Sequence, residues 1–219
     1  MKKGQRMTQT QILLIRHGQT DWNLNGRWQG QLDVPLNEEG KAQAAALAAF
    51  LCDAALTAVY SSDLSRARET AQAVASRTGL PLHQDARWRE MNLGIFQGLT
   101  LPEIQEKYSE AAAAMHEDYL GFVFPEGESR RLMQERAYQA FTELASAYPA
   151  GSTIAVVSHG GTIKVLLMKL FPDDPEIRRI HIHNTSITTL TQNGAGWNLE
   201  EAAAVHHLKR DIPTEADGA

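Results

Sequence analysis

Apolar residues in this chain fall into short unbroken runs, and between the runs they recur every three or four positions. Residues 12–15 form an apolar run that ends at Arg16, which predicts a strand buried on both faces. Residues 58–61 predict a second strand. Residues 153–157, apolar and rich in β-branched side chains, predict a later one that stops abruptly at Ser158 and His159. The spacing in between is helical. Ala44, Leu47, Ala48 and Leu51 mark a helix over 37–51, and Leu64, Ala67, Ala71 and Val74 mark another that closes near Gly79. Thr100 and Glu103 have the spacing of a capping box and predict a helix start, whose continuation through 111–114 is only weakly amphipathic. Pro125 and Gly127 break the stretch 121–128 into a loop. Ser129 can then cap a helix with Met133, Ala137, Ala140, Phe141 and Leu144 on one face. A helix from about Thr162 to Phe171 is stopped by Pro172, and alternation over 187–190 and again from Trp197 predicts a final strand pair turning near Asn193 and Gly194.

Strands alternating with amphipathic helices imply an α/β fold with a largely parallel sheet. The 219 residues suit one domain, with 43% hydrophobic and 21% charged residues, so neither disorder nor a fibrous repeat enters the picture. We expect a flexible extension over 1–10, a catalytic domain over 11–208 and a disordered tail over 209–219. The net charge of −5 and the absence of a lysine or arginine run speak against nucleic acid or an anionic membrane as partner. No run approaches the ~20 apolar residues of a membrane span, and the positively charged start lacks a signal-peptide core. Cys52, the single cysteine, fits a reducing compartment, so the cytoplasm is the expected location.

His17 and His159 each follow a predicted buried strand and each precede glycine. The carboxyl ends of strands in open α/β sheets form the ligand crevice, so these two histidines can converge although far apart in sequence. Arg16 adjoins His17, and Arg66 opens the helix after the second strand. Two guanidinium forks at strand ends suit a phosphate, which accepts bidentate hydrogen bonds. A lone arginine is usually a solvated surface residue; the pairing with strand-end histidines shifts that balance. Gly160 and Gly161 let backbone N–H groups approach an anion where the next helix begins.

The motifs carrying these residues are L-I-R-H-G-Q-T-D-W-N at 14–23, S-S-D-L-S-R-A-R-E-T at 61–70, R-E-M-N-L-G-I-F-Q-G at 89–98, P-E-G-E-S at 125–129, V-S-H-G-G at 157–161 and H-N-T-S-I at 183–187. In that order the chain resembles the histidine phosphatase superfamily, in its phosphoglycerate mutase-like branch. The resemblance implies a single-domain, three-layer α/β/α sandwich with a mostly parallel central sheet and a metal-free, cofactor-free active site at the strand ends. It makes His17 the phosphate-accepting nucleophile, Arg16, Arg66 and His159 the rest of the phosphate pocket, and Glu90 the proton donor. Asn23, Gln29 and Gly160 are the further substrate contacts it implies. Those roles agree with the chemistry, because a phosphoryl group in transit needs positioned positive charge around a reactive nucleophile. His17 must attack through a neutral nitrogen, so its other nitrogen needs an acceptor, expected to be a backbone carbonyl. A departing alkoxide needs a proton, and a carboxyl group can give it and later take one from water.

Other readings were weighed against these. His83, His116, His206 and His207 read as surface or structural residues, and His181 and His183 as two residues on one face of a strand, since an H-x-H without a third partner is weak metal spacing. The tryptophans read mainly as core, with Trp22 and Trp28, in the loop after His17, placed to line a cleft. Tyr119, Phe122 and Phe124 lie where a lid would select the alcohol portion of a substrate. Phosphatase and mutase share the chemistry. Glycolytic mutases of this family carry a longer insertion before the second histidine, whereas here Glu90 and His159 are 69 positions apart, which favours a phosphatase acting on small phosphorylated molecules over a cofactor-dependent phosphoglycerate mutase. A silent phosphate-binding module and a metal-dependent hydrolase rank below both. Exposed sheet edges leave room for a homodimer.

Overall fold

The computed structural model describes residues 9–194 and 196–208. Six strands form one sheet, β1 (Gln11–Arg16), β2 (Ala58–Ser61), β3 (Leu82–Gln84), β4 (Thr153–Ser158), β5 (Ile187–Asn193) and β6 (Gly196–Ala204), in the order β3-β2-β4-β1-β5-β6. The pairs β3/β2, β2/β4 and β4/β1 are parallel, and β5 and β6 continue the sheet antiparallel from β1. Each parallel crossover carries a helix. Seven helices are present among the described residues: α1 (Asp21–Leu24), α2 (Glu38–Leu51), α3 (Ser65–Thr78), α4 (Leu101–Lys107), α5 (Ser109–Glu117), α6 (Arg130–Ala147) and α7 (Gly160–Leu170).

Side chains alternate across a strand, so the two faces of the sheet build two cores. Ile12, Leu14, Ile154 and Val156 pack with Phe141, Leu144, Ile163 and Leu166 of α6 and α7. Leu13, Ile15, Ala155 and Val157 pack with Leu47, Leu51, Ala71 and Val74 of α2 and α3. That is the expected three-layer α/β/α sandwich. Its central strands are buried on both faces, as their unbroken apolar runs require. A third and smaller core, with Met91, Leu93, Phe96, Ile104, Phe124, Met133 and Val165, lies beneath α4, α5 and the surrounding loops and forms a cap on the sandwich.

Most expected elements stand where the pattern put them. Asn37 caps α2 by accepting from the Gly40 N–H at 2.8 Å, and both halves of the Thr100–Glu103 capping box are formed. Ser129 caps α6, whose buried face holds all five apolar residues expected there. The turn between β5 and β6 passes through Gly194 at φ +58. Departures have physical reasons. The helix expected from Thr162 starts at Gly160, because both glycines form its first turn, where chain entropy yields to close approach. The short β3 escaped notice because only Leu82 of its three residues is apolar. His181 and His183 lie before β5 in a loop, not on a strand, with ring centroids 4.3 Å apart. Phe124 is fully buried in the cap core and cannot touch a substrate, unlike Tyr119. Trp88 is core, as expected, and Trp197 packs on Phe141 at 4.8 Å. Of the expected N-terminal extension, only Gln9 and Thr10 are described, and Thr10 is buried with its carbonyl accepting from Gln192 N at 2.9 Å. The expected tail over 209–219 lies outside the described residues. No helix among the described residues is long and apolar enough to cross a membrane.

Candidate active site

The sheet order explains why distant residues meet. Strand β4 lies between β1 and β2, so His159 at its end is flanked by Arg16 and His17 after β1 and by Arg66 at the start of the helix after β2. The rings of His17 and His159 stand 5.1 Å apart at 61°. Above these strand ends lies a cleft of about 330 Å³, lined by Arg16, His17, Asn23, Gln29, Arg66, Glu90 and Gly160 among others. His159 is not part of the cleft surface. It is fully buried behind His17, and neither ring nitrogen has a hydrogen-bond partner among the described residues.

His17, Arg66 and Arg16 are each held by backbone carbonyls. His17 Nδ1 lies 2.7 Å from the Gly18 carbonyl. A carbonyl only accepts, so Nδ1 carries the proton and Nε2 keeps its lone pair. This is the acceptor that sequence could not locate: it belongs to the next residue in the chain. Gly18 N–H donates to Thr70 Oγ1 at 2.9 Å, and Thr70 Oγ1 donates to the Arg66 carbonyl at 2.7 Å, tying the His17 loop to α3. Arg66 is 1% exposed and donates through Nη1 to Leu32 O at 2.8 Å and through Nη2 to Gly30 O at 2.7 Å, while its buried Nε has no partner among the described residues. Asp33 accepts from Ser65 N–H at 2.7 Å and so caps the helix that presents Arg66. Arg16 Nη1 donates to Ile182 O at 2.6 Å. Asn184 donates from Nδ2 to the His17 carbonyl at 2.9 Å, and Thr185, held at φ +55, donates its N–H to the Arg16 and His17 carbonyls. Thr185 is a strained β-branched residue inside the H-N-T-S-I motif, a place where the fold holds an unfavourable backbone to shape the His17 turn.

Charge follows from burial. Desolvation, and after it the charges of Arg66 and Arg16, hold the His17 imidazole well below its ordinary pKa, against a smaller opposing effect of the Gly18 carbonyl. His159 is lowered in the same way, by burial first and then by Arg66 and His17. Both rings are therefore neutral at physiological pH. Burial pulls the Arg66 guanidinium down to about 10, which still leaves it charged. Two neutral imidazoles beside fixed positive charge make a pocket that suits an anion and sets a ring nitrogen with a free lone pair beside it.

Glu90 enters from the cap side. Its Oε2 accepts from Gly161 N–H at 3.0 Å and its Oε1 from Met91 N–H at 2.9 Å. A Cβ at Gly161 would come within 2.6 Å of Glu90 Oε1 and would push the carboxylate from this position at the start of α7. The segment carrying Glu90 is clamped by Arg136, which donates to the carbonyls of Arg87, Arg89 and Glu90 at 2.8, 2.6 and 2.9 Å and pairs with Glu128 at 2.8 Å. Glu128 in turn accepts from Asn92 N–H at 2.9 Å. Sequence reasoning missed Arg136 and Glu128, because a helix-face arginine carries no signal of the carbonyls it will meet. Asn23 has its Oδ1 engaged by Thr20 N–H at 3.1 Å, which leaves its Nδ2 donors for the cleft. Gln29 is buried with Oε1 unpartnered among the described residues. Trp22 and Trp28 line the cleft as expected. No cluster of three or more His, Cys, Asp or Glu placed to hold a metal is found among the described residues.

Comparison with known proteins leads to the same place. A family model of the histidine phosphatase superfamily, branch 1, matches residues 12–204. The probable phosphoglycerate mutase GpmB of Yersinia pestis is 34% identical over 210 residues, spanning 93% of this chain and 96% of that protein. Among solved structures, the mycobacterial glucosyl-3-phosphoglycerate phosphatase Rv2419c superposes with a TM-score of 0.81 at 35% identity, covering 89% of this chain and 99% of the other. The phosphoserine phosphatase of Entamoeba histolytica does so with a TM-score of 0.80 at 30% identity, covering 91% and 100%. With the family model matched over nearly the whole sandwich and cap, the chain belongs to branch 1 of the histidine phosphatase superfamily.

Proposed function

We propose that this protein is a phosphatase that hydrolyses small-molecule phosphate monoesters through a phosphohistidine on His17, in the cytoplasm. The observation that carries the reading is the state of His17. It is neutral, its proton is held on Nδ1 by the Gly18 carbonyl, and its Nε2 is free to attack beside Arg16 and Arg66.

In the first step the Nε2 lone pair attacks phosphorus, and the bond between phosphorus and the ester oxygen breaks. Arg16, Arg66 and Asn23 meet the three equatorial oxygens, with neutral His159 buried behind His17. Glu90 gives its proton to the departing oxygen, and the alcohol leaves. Positive charge on the phosphorylated imidazole is shared with the Gly18 carbonyl through Nδ1–H. In the second step Glu90, now a carboxylate, takes a proton from water as that water attacks phosphorus. The N–P bond breaks, inorganic phosphate departs, and His17 is neutral again.

Water rather than a second alcohol is the acceptor because the cap is small: α5 has no buried residue, and the cleft opens beside exposed Tyr119. Named relatives include both a mutase and phosphatases. The test is hydrolysis of an aryl phosphate in chelator by wild type and His17→Ala. We expect phosphate release that falls at least about a thousandfold in the variant. Phosphate exchange between phosphoglycerates that depends on a bisphosphorylated primer, with no release from any ester, would make the protein a mutase; release abolished by chelator would make it a metal-dependent hydrolase.

A further inference from the structure

The turn that carries His17 is also held from the far end of the chain. Thr185, at φ +55, donates its N–H to the carbonyls of Arg16 and His17 at 3.0 and 3.2 Å. A β-branched residue keeps a left-handed backbone only where its surroundings over-determine it. Part of that hold comes from His207, whose Nε2 lies 3.1 Å from Thr185 Oγ1.

Counting protons gives this bond its direction. Thr185 Oγ1 lies 2.8 Å from the Asn184 carbonyl, which only accepts, so the single hydroxyl proton points there. Oγ1 is left to accept, and His207 Nε2 carries the proton it donates. The opposite arrangement would turn the hydroxyl away from Asn184 and move the ring proton to Nδ1, a buried atom without a partner among the described residues. An unpaired buried N–H is the costlier outcome. His207 is therefore bonded to Thr185, and Thr185 to the peptide groups on both sides of His17.

The end of β6 is shaped to deliver His207 to this place. β6 pairs with β5 as far as Ala204 opposite Ile187, with register shifts between Ile187 and Leu190. Ala203 takes φ +50 and donates its N–H to Thr188 Oγ1 at 3.1 Å. Such an irregularity at a sheet edge re-aims the chain. The chain then turns, with Leu208 N–H donating to the Val205 carbonyl at 2.9 Å, and half-buried His207 settles with its ring 5.8 Å from that of Phe50 on α2. It is not among the residues lining the cleft, so it acts only through Thr185.

Resting on the phosphatase reading, we infer that His207 is a positioning residue for His17, its Nε2–H locking Thr185 in the conformation that fixes the His17 turn. The test compares His207→Leu with His207→Gln, whose amide can donate in place of Nε2. Two quantities are read: aryl phosphate kinetics, and the His17 ring nitrogens by long-range proton–nitrogen NMR, assigned by their loss in His17→Ala. For His207→Leu we expect kcat to fall about tenfold with KM changed less than about twofold, and the His17 ring signals to shift or broaden. His207→Gln should restore the signals and bring kcat to within about threefold of wild type. In a Thr185→Val background, which lacks the accepting hydroxyl, His207→Leu should cost nothing further. Unchanged kcat and signals in His207→Leu, equal damage in His207→Gln, losses that add in the double variant, or a loss matching the unfolded fraction in denaturant melts would each overturn the assignment. No phosphate release by the wild type, with His17 signals still disturbed by His207→Leu and restored by His207→Gln, would refute the phosphatase reading and uphold the hold of His207 on His17.

Discussion

The two sides of the cleft are built differently. On the sandwich side, His17, Arg16, Arg66 and His159 sit at the ends of strands buried on both faces, and backbone carbonyls or buried helices fix the first three. On the cap side, Tyr119 and Glu90 sit in loops and Arg130 at the very start of α6, over a small core, with α5 burying nothing completely. The comparison teaches a division of labour. Phosphoryl transfer needs groups that do not move, and a doubly covered sheet supplies them. Choice of the alcohol needs a surface that can change without disturbing those groups, and a cap on its own core supplies that.

Glu90 belongs to the cap but reaches across to the sandwich through Gly161, so it breaks the division if it acts in the chemistry. Glu90→Gln keeps the size and can still accept a hydrogen bond but cannot donate a proton to an alkoxide. We expect turnover of alkyl phosphates to fall by roughly 10²- to 10⁴-fold, with a smaller loss for a nitrophenyl ester, whose leaving group needs little protonation. Steady-state rates across leaving groups of graded acidity provide the measurement. An equal loss for every ester would remove Glu90 from protonation of the leaving oxygen and confine it to the hydrolysis of the phosphohistidine, which is common to all esters, or to a structural place in the cap.

A smaller effect is expected one step further from the chemistry. Arg136 makes three bonds to carbonyls around Glu90 and one ion pair with Glu128, which holds Asn92 N–H. Arg136→Leu takes one donor from each of those acceptors, leaving Thr162 Oγ1 on the Arg89 carbonyl, Gln31 Nε2 on the Glu90 carbonyl and Asn92 N–H on Glu128, so we expect stability to fall by about 1–3 kcal/mol and alkyl phosphate turnover by roughly tenfold, with the nitrophenyl ester much less affected. That pattern would mark Arg136 as a positioning residue acting through Glu90. Denaturant melts beside the two kcat values separate it from simple unfolding, and equal losses for the two esters would refute it.

What sequence made legible follows the same line. The sandwich could be read because burial on two faces forces unbroken apolar runs, and its strand ends announced themselves through histidine followed by glycine. Helix starts at Thr100 and Ser129 are readable from local capping chemistry, and the helix from Asn37 from the spacing of its apolar residues. The cap was harder. Phe124 reads from sequence as a residue facing the substrate, since an aromatic residue in a loop looks the same whether it faces a cleft or a small private core, and it is fully buried. Arg136, Glu128 and Thr70 act through backbone partners 46 or more positions away in the first case, 36 in the second and 52 in the third, and no periodicity encodes such contacts.

The smallest effect we predict concerns what the rigid side costs. His17 and His159 both have folded-state pKa values well below 6.5, the value expected in the unfolded chain. Below pH 6.5 the unfolded chain therefore binds protons that the folded protein does not, and stability must fall as pH drops through that window, because its slope with pH has the sign of the protons bound in the unfolded state minus those bound in the native state. Each histidine contributes at most about 1.4 kcal/mol per pH unit. His17→Gln removes one of the two titrating rings, so its loss of stability between pH 6.5 and 5 should be shallower than that of the wild type by up to about 2 kcal/mol. Chemical denaturation of the two proteins at a series of pH values reads the difference directly. Parallel slopes for wild type and His17→Gln would mean that the His17 ring is as readily protonated in the folded protein as in water, and the burial of a neutral nucleophile at the strand ends would have to be given up.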